Sequence, residues 1–222
     1  MNADIDNRRP LRSRDTGLAR AAAAALARAG VTPDAVSAGS VVFGLAGGAL
    51  LAASGVLDGA PRVAALVAAA LTIQLRLICN LMDGMVAVEH GKGGPLGPIW
   101  NELPDRIADA AFLVGAGYGA ALAGVAWGVP AGWAAALFAV LTAYIRELGR
   151  AIGQPADFGG PMAKPQRMAV LTASSLLAAA EPIWAWRGQS LAGACALIAI
   201  GAALTAAIRT GRLAARLKDG TP

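Results

Sequence analysis

Charge is scarce in this chain. Asp, Glu, Lys and Arg make up 15% of its 222 residues, against 56% hydrophobic residues, and a mean hydropathy of +0.55 excludes an ordinary soluble domain. Cysteine is almost missing. Cys79 and Cys195 both lie in apolar runs, which leaves no disulfide framework and no thiol motif. Aromatic residues are few, at 5%, and they do not alternate with basic ones. The net charge of +5 therefore does not read as nucleic-acid binding. In a membrane protein, Lys and Arg mark cytoplasmic ends and contact anionic lipid. No apolar core precedes Asp34 among the N-terminal arginines, so no secretory signal peptide is expected. No linker divides the chain, and one domain is expected.

What is abundant is apolar sequence in long runs. A span needs about 20 residues to cross a hydrocarbon core of about 30 Å. Six such segments are expected, over about 35–57, 62–89, 102–126, 131–152, 166–186 and 190–210. The fold class is thus all-α integral membrane, with six transmembrane helices. Residues 15–29 place Leu18, Ala22, Ala25, Leu26 and Ala29 near helical spacing, with Arg20 and Arg28 flanking them. That pattern predicts an N-terminal interfacial amphipathic helix. Residues 1–30 then form a cytoplasmic arm with that helix, and 31–222 a six-helix transmembrane domain.

Basic residues cluster in alternate connections. The N-terminus carries Arg8, Arg9, Arg12, Arg14, Arg20 and Arg28. The loop after the second segment carries Lys92. The fourth-to-fifth connection carries Arg146, Arg150, Lys164 and Arg167, and the C-terminus carries Arg209, Arg212, Arg216 and Lys218. The other connections hold only Arg62 and Arg187. A cytoplasmic location for both termini, for 90–101 and for 150–165 follows from the positive-inside bias. The expected setting is a multi-pass protein of the cell (inner) membrane.

Against this background residues 80–109, NLMDGMVAVEHGKGGPLGPIWNELPDRIAD, stand out. Ionisable groups in membrane segments are costly, about 2.5–3.5 kcal/mol for Asp on insertion scales, and face polar cavities. Asn80, Asp83 and Ala87 share one helical face, as do Asn101, Asp105 and Asp109. Two helices meeting at a cytoplasmic turn would bring these faces together. Several carboxylates suit a hard divalent cation such as Mg²⁺, and Gly84 leaves room beside Asp83.

The stretch resembles the signature of the CDP-alcohol phosphotransferases, D-x-x-D-G-x-x-A-R, eight residues, then G-x-x-x-D-x-x-x-D. Asp83, Gly84 and Ala87 fit its first half, while Asn80 stands at the first Asp and Val88 at the Arg. The second half aligns in two ways. Family spacing gives Gly97, Asn101 and Asp105; one inserted helical turn makes Asp105 and Asp109 the last pair. The need for negative charge around metal and pyrophosphate favours the latter, and the former stays open. Val31-Thr32-Pro33-Asp34 is similar to the L/V-T-P-N stretch that opens the family's first span. Tyr144-Ile145-Arg146 with Arg150, Gly153 and Arg167 is similar to its later basic segment.

The resemblance implies a six-span enzyme that moves a phosphoalcohol from a CDP-linked donor, CDP-diacylglycerol being expected, to a hydroxyl acceptor with release of CMP. It implies one or two Mg²⁺ or Mn²⁺ ions held by Asn80, Asp83, Asp105 and Asp109, with Asn101 and Glu102 as further ligands. Asp109, or Asp105 in the other register, would be the base. Nucleotide contacts are expected at Thr32, Pro33, Gly84, Ala87 and Gly97, and phosphate contacts at Arg146, Arg150, Lys164 and Arg167. Lys92 is a candidate to replace the Arg missing at Val88. Membrane lipid is an expected partner and a homodimer a weaker one; the acceptor alcohol is not readable. Two other readings stand beside it. The Asn substitutions fit a non-catalytic relative that binds lipid or nucleotide. A cation transporter fits less well, since its polar residues belong near the midplane and these cluster at one end.

Overall fold

The computed structural model describes residues 16–89 and 96–219. Every regular element among them is helical: α1 (Gly17–Arg28), α2 (Pro33–Ala53), α3 (Gly59–Glu89), α4 (Gly97–Leu122), α5 (Gly128–Ala151), α6 (Lys164–Ala180), a 3₁₀ turn (Glu181–Trp184) and α7 (Gln189–Lys218). Four of them, α2, α3, α5 and α7, are long and apolar enough to cross a membrane. The other two predicted spans fall short for physical reasons. Glu102, Asp105, Arg106 and Asp109 all sit in the first half of α4, and α6 has 17 residues. The expected fifth segment breaks at Ala180, where the chain tightens into the 3₁₀ turn. The expected sixth runs on to Lys218.

The packing is that of a protein solvated by lipid. Large apolar side chains such as Val42, Leu45, Leu71, Leu137, Ile200 and Leu204 point outward. The interior is rich in Ala and Gly, with Leu51, Ile73, Phe112, Met168 and Ile198 as its larger members. Small residues let helices approach without a steric barrier. The seam between α2 and α4 depends on this. A Cβ at Gly48 would fall 2.4 Å from the Ala111 carbonyl oxygen, and one at Gly115 would fall 2.2 Å from that of Gly48. The glycines at 44, 47 and 48 thus face the interior of this chain.

Helix starts follow the sequence. Thr32 caps α2, its Oγ1 accepting from the Ala35 N–H at 3.2 Å, and Pro33 follows at the first helical position, where its missing N–H is harmless. Thr16 caps α1 in the same way, at 3.3 Å. α1 then lays Ala19 and Ala23 against Met82, Met85 and Val86 of α3. Pro104 lies inside α4, which opens at Gly97. The carbonyl four residues before it therefore loses its intrahelical donor.

α2 packs on both α3 and α4, while α3 and α4 do not pack closely on each other. The space between them is filled by polar side chains at one end of the bundle. The other end is closed by Glu181, fully buried, whose carboxylate accepts from the Gly188 and Ser190 N–H groups, each at 2.7 Å, and pairs with Arg62 at 2.6 Å. Arg187 pairs with Asp58 at 2.5 Å. Both arginines of that end are thereby matched by an acid.

Two outcomes are expected. Gly115→Val drives a side chain into the backbone of α2 and should destabilise the protein by about 1–3 kcal/mol or more, read as a lowered Tm in detergent. Burial works against ionisation of Glu181, but the Ser190 and Gly188 amides and Arg62 outweigh it and hold its pKa below the usual range. A carboxyl depressed in the folded state contributes stability that is complete above its unfolded value of about 4.3. That stability drains away as the pH falls toward the folded value. Glu181→Gln should flatten this acid limb of the Tm-against-pH curve.

Candidate active site

The site is built from the facing ends of α3 and α4, closed by the start of α6. On α3, Arg76, Asn80 and Asp83 fall at i, i+4 and i+7 and share one face. On α4, Asp105 and Asp109 do the same. Arg76 is fully buried, and its Nη2 reaches both carboxylates, Asp105 Oδ1 at 3.0 Å and Asp109 Oδ1 at 2.7 Å. The same Nη2 donates to the Asp105 carbonyl at 3.2 Å. Asn80 Nδ2 donates to Asp105 Oδ1, and Lys164 Nζ pairs with Asp105 Oδ2. Arg167 Nη2 pairs with Asp109 Oδ2 at 3.3 Å, while its Nη1 donates to the Met162 carbonyl at 3.1 Å and to Thr142 Oγ1 at 3.3 Å. Asp83 is buried. Its Oδ2 accepts from Ser37 Oγ at 2.8 Å, and it lies within Coulombic range of Asp105 and Lys164.

Lys164 and Arg167 reach this place because the connection before them is pinned to α7. Met162 N–H donates to Thr205 Oγ1 at 2.9 Å. Arg209 donates to the Gly159 carbonyl at 2.9 Å and the Thr142 carbonyl at 2.7 Å. Gly160, at φ +122°, lies so close to Thr205 that a Cβ would fall 2.4 Å from its Cγ2; both the conformation and the space require glycine.

The residues singled out from sequence thus separate into groups. Asn80, Asp83, Asp105, Asp109, Lys164 and Arg167 come together. Glu102 does not join them: it pairs with Arg106 and with Arg146, the latter at 2.5 Å. Arg146 also pairs with Glu147 at 2.8 Å and stands 5.4 Å over the Phe158 ring. Arg150 pairs with Glu147 at 3.0 Å. Thr32 and Pro33 start α2, and Gly84 and Ala87 continue the α3 face. Gly97 opens α4. The side chains of Asn101, Val88 and Glu89, and residues His90 and Lys92, lie outside the described residues, as does the arm before residue 16.

Sequence reasoning passed over Arg76, Ser37, Arg106, Thr142 and Arg209. For Arg76 the signal was present. It is the only charged residue between Val63 and Met82, and an ionisable group inside an apolar span marks a functional site by default.

No family model matches the chain. A phosphatidylinositol phosphate synthase of Mycobacteroides abscessus is 28% identical over 164 residues, which cover 69% of this chain and 66% of that protein. The match spans just under two thirds of the relative's length. The phosphatidylinositol phosphate synthase of Mycobacterium tuberculosis, solved in complex with manganese and citrate, shares the fold at a TM-score of 0.72 and 23% identity, over 88% of each chain. The same enzyme with CDP-DAG bound gives a TM-score of 0.73 at 23% identity, over 89% of this chain and 94% of that one.

Removing one cation from the cluster tests its construction. Arg167→Leu takes from Asp109 one of its two partners and from Met162 its carbonyl's donor. A loss of about 3–5 kcal/mol is expected for breaking a buried pair from one side, measured by thermal or denaturant unfolding in detergent. The chain is thus similar in sequence, at 28% identity, and in fold to phosphatidylinositol phosphate synthases.

Proposed function

We propose that the chain transfers a phosphatidyl group from CDP-diacylglycerol to a hydroxyl acceptor, releasing CMP, as a step in phospholipid synthesis. The observation that carries this reading is the meeting of Asn80, Asp83, Asp105 and Lys164 at one end of a membrane-type bundle. That end also carries the basic connections. In this reading α2–α7 all cross the membrane, α4 and α6 being shielded by the other four. α1 lies at the cytoplasmic interface, and both termini and the site face the cytoplasm.

Among the described residues no three acidic, His or Cys side chains are grouped to hold a metal, so a divalent ion, Mg²⁺ or Mn²⁺, would rest on two carboxylates and an amide. Asp83 and Asp105 supply carboxylate oxygens, and Asn80 Oδ1 is a buried oxygen without a hydrogen-bond donor, which leaves its lone pairs for a cation. Such an ion would neutralise the donor's pyrophosphate and the departing CMP. The chain's own groups do the rest. The acceptor hydroxyl gives its proton to a carboxylate and attacks the phosphorus that bears the diacylglycerol. The bond from that phosphorus to the bridging oxygen breaks, and CMP leaves with the electron pair. A base has to reach the hydroxyl. Asp105 is 16% exposed and Asp109 is 2%, which supports Asp105 as the base and Asp109 as a positioning residue. Lys164, 22% exposed, can turn from Asp105 to a phosphate oxygen. A cleft between α5 and the end of α7, lined by Arg146, Asp157, Arg209 and Arg216, offers basic side chains to an acceptor that itself bears phosphate. An inositol phosphate, as the relative's name suggests, has that chemistry. Arginine forks suit phosphate oxygens.

The second reading, a non-catalytic relative that binds lipid or nucleotide, draws on Asn80 and on the cations already paired with Asp105 and Asp109. CMP release from CDP-diacylglycerol separates the two. With Mn²⁺ or Mg²⁺ and a panel of acceptors, release should depend on the acceptor and stop on chelation. Asp105→Asn should lower kcat by about 10²–10⁴-fold, the usual contribution of a general base. Equal loss in Asp109→Asn would move the base to Asp109. Binding of CDP-diacylglycerol with no release under any condition would establish the second reading.

A further inference from the structure

The signature that residues 80–109 resemble has four Asp, and this chain puts an amide at position 80 and a guanidinium one helical turn before it. Among the described residues the cluster holds three acids, Asp83, Asp105 and Asp109, and three bases, Arg76, Lys164 and Arg167. The formal sum is 3 − 3 = 0 before any ion enters.

Position matters more than the sum. The Nη2 of Arg76 reaches Asp105 Oδ1 at 3.0 Å and Asp109 Oδ1 at 2.7 Å, and so already supplies both carboxylates with a shared cation. Lys164 is partly exposed and can swing away. Arg76 has no exposed surface, and its Nε and Nη1 are buried without a hydrogen-bond partner. A guanidinium cannot shed its proton to make way for a metal. Moving it outward would leave Asp109 with Arg167 alone in a buried setting. The remaining oxygens, on Asp83, Asn80 and the outer side of Asp105, make up the donors of a single ion.

We propose that Arg76 is a fixed internal cation that takes the place of one divalent ion, so that this chain holds one metal ion where a four-carboxylate site has room for two. The inference rests on the transferase reading for the identity of the site, but the ion count is independent of turnover. One divalent ion brings the cluster to +2, which complements a pyrophosphate diester. Two would bring a buried site to +4, with too few carboxylates to offset it.

The test is Mn²⁺ binding to the full chain in detergent micelles, followed by electron paramagnetic resonance and by metal analysis after gel filtration. Wild type should bind one Mn²⁺ per chain, with no spin-coupled pair. Arg76→Met should bind two, with the coupled signal. Asn80→Asp serves if Arg76→Met does not fold. It adds a carboxylate while Arg76 keeps the bridging place, so it should hold its one ion about tenfold more tightly, as ligand charge does in other oxygen sites. Two ions in wild type, none in wild type, two in Asn80→Asp, or one in a folded Arg76→Met would each overturn the proposal. CMP release is measured on the same samples. One bound ion without CMP release defeats the transferase reading and leaves the ion count standing.

Discussion

Two carboxylates on one helix face, Asp109 buried and Asp105 half-buried, govern this structure. Asp105 and Asp109 stand one turn apart on α4, in a protein whose core is mainly small and aliphatic side chains. Neither can be ionised there without a cation within reach, because an isolated buried charge is prohibitively expensive. The chain answers with Arg76 from α3 and with Lys164 and Arg167 from α6. These cations come from two helices far apart in sequence, so the cluster ties α3, α4 and α6 together at one end of the bundle. Much of the remaining architecture can be understood as what brings those three cations to that place.

Two devices do so. The first is the glycine seam. α2 approaches α4 closely enough for backbone to touch backbone at Gly48 and Gly115, and it packs on α3 as well. It therefore fixes both helices while leaving between them a gap that polar side chains fill. The second is the pinned connection between α5 and α6. Thr205 and Arg209 of α7 bind the backbone of residues 159 and 162, and the next turn delivers Lys164 and Arg167. Arg209 thus serves the site through the backbone it holds, as Ser37 serves it by orienting Asp83.

The two ends of the bundle handle charge differently. At the far end, Arg62 with Glu181 and Arg187 with Asp58 form closed pairs, and the Glu181 carboxylate also satisfies amides at the start of α7. At the site end the groups are linked in a network, with some members partly exposed and two buried oxygens, Asn80 Oδ1 and Asp109 Oδ1, lacking a hydrogen-bond donor. The carboxamide and carboxylate oxygens left over at the site end are hard donors that suit a cation, whereas the far end leaves over Arg62 Nε and Ser190 Oγ.

The amino-acid sequence alone determined the helical membrane class, the positions of the helices to within several residues, the polar stretch at 80–109 and the family it resembles. These rest on local properties: run length, helical spacing and residue type. Even the shared faces of Asn80 with Asp83 and of Asp105 with Asp109 follow from helix periodicity. Which residues meet across the bundle was decided by the tertiary structure. Spacing within α4 says nothing of whether Glu102 turns toward Asp83 or toward Arg106 and Arg146, and it turned to the latter. Nothing local to Lys164 and Arg167 separates them from Arg146 and Arg150; the pinned loop does. Arg76 was legible as an anomalous charge in an apolar run, but its bridging of two carboxylates depends on the α2–α4 seam that sets the gap it fills. Contacts between residues far apart in sequence are fixed by packing, and packing exists only once the whole chain has folded.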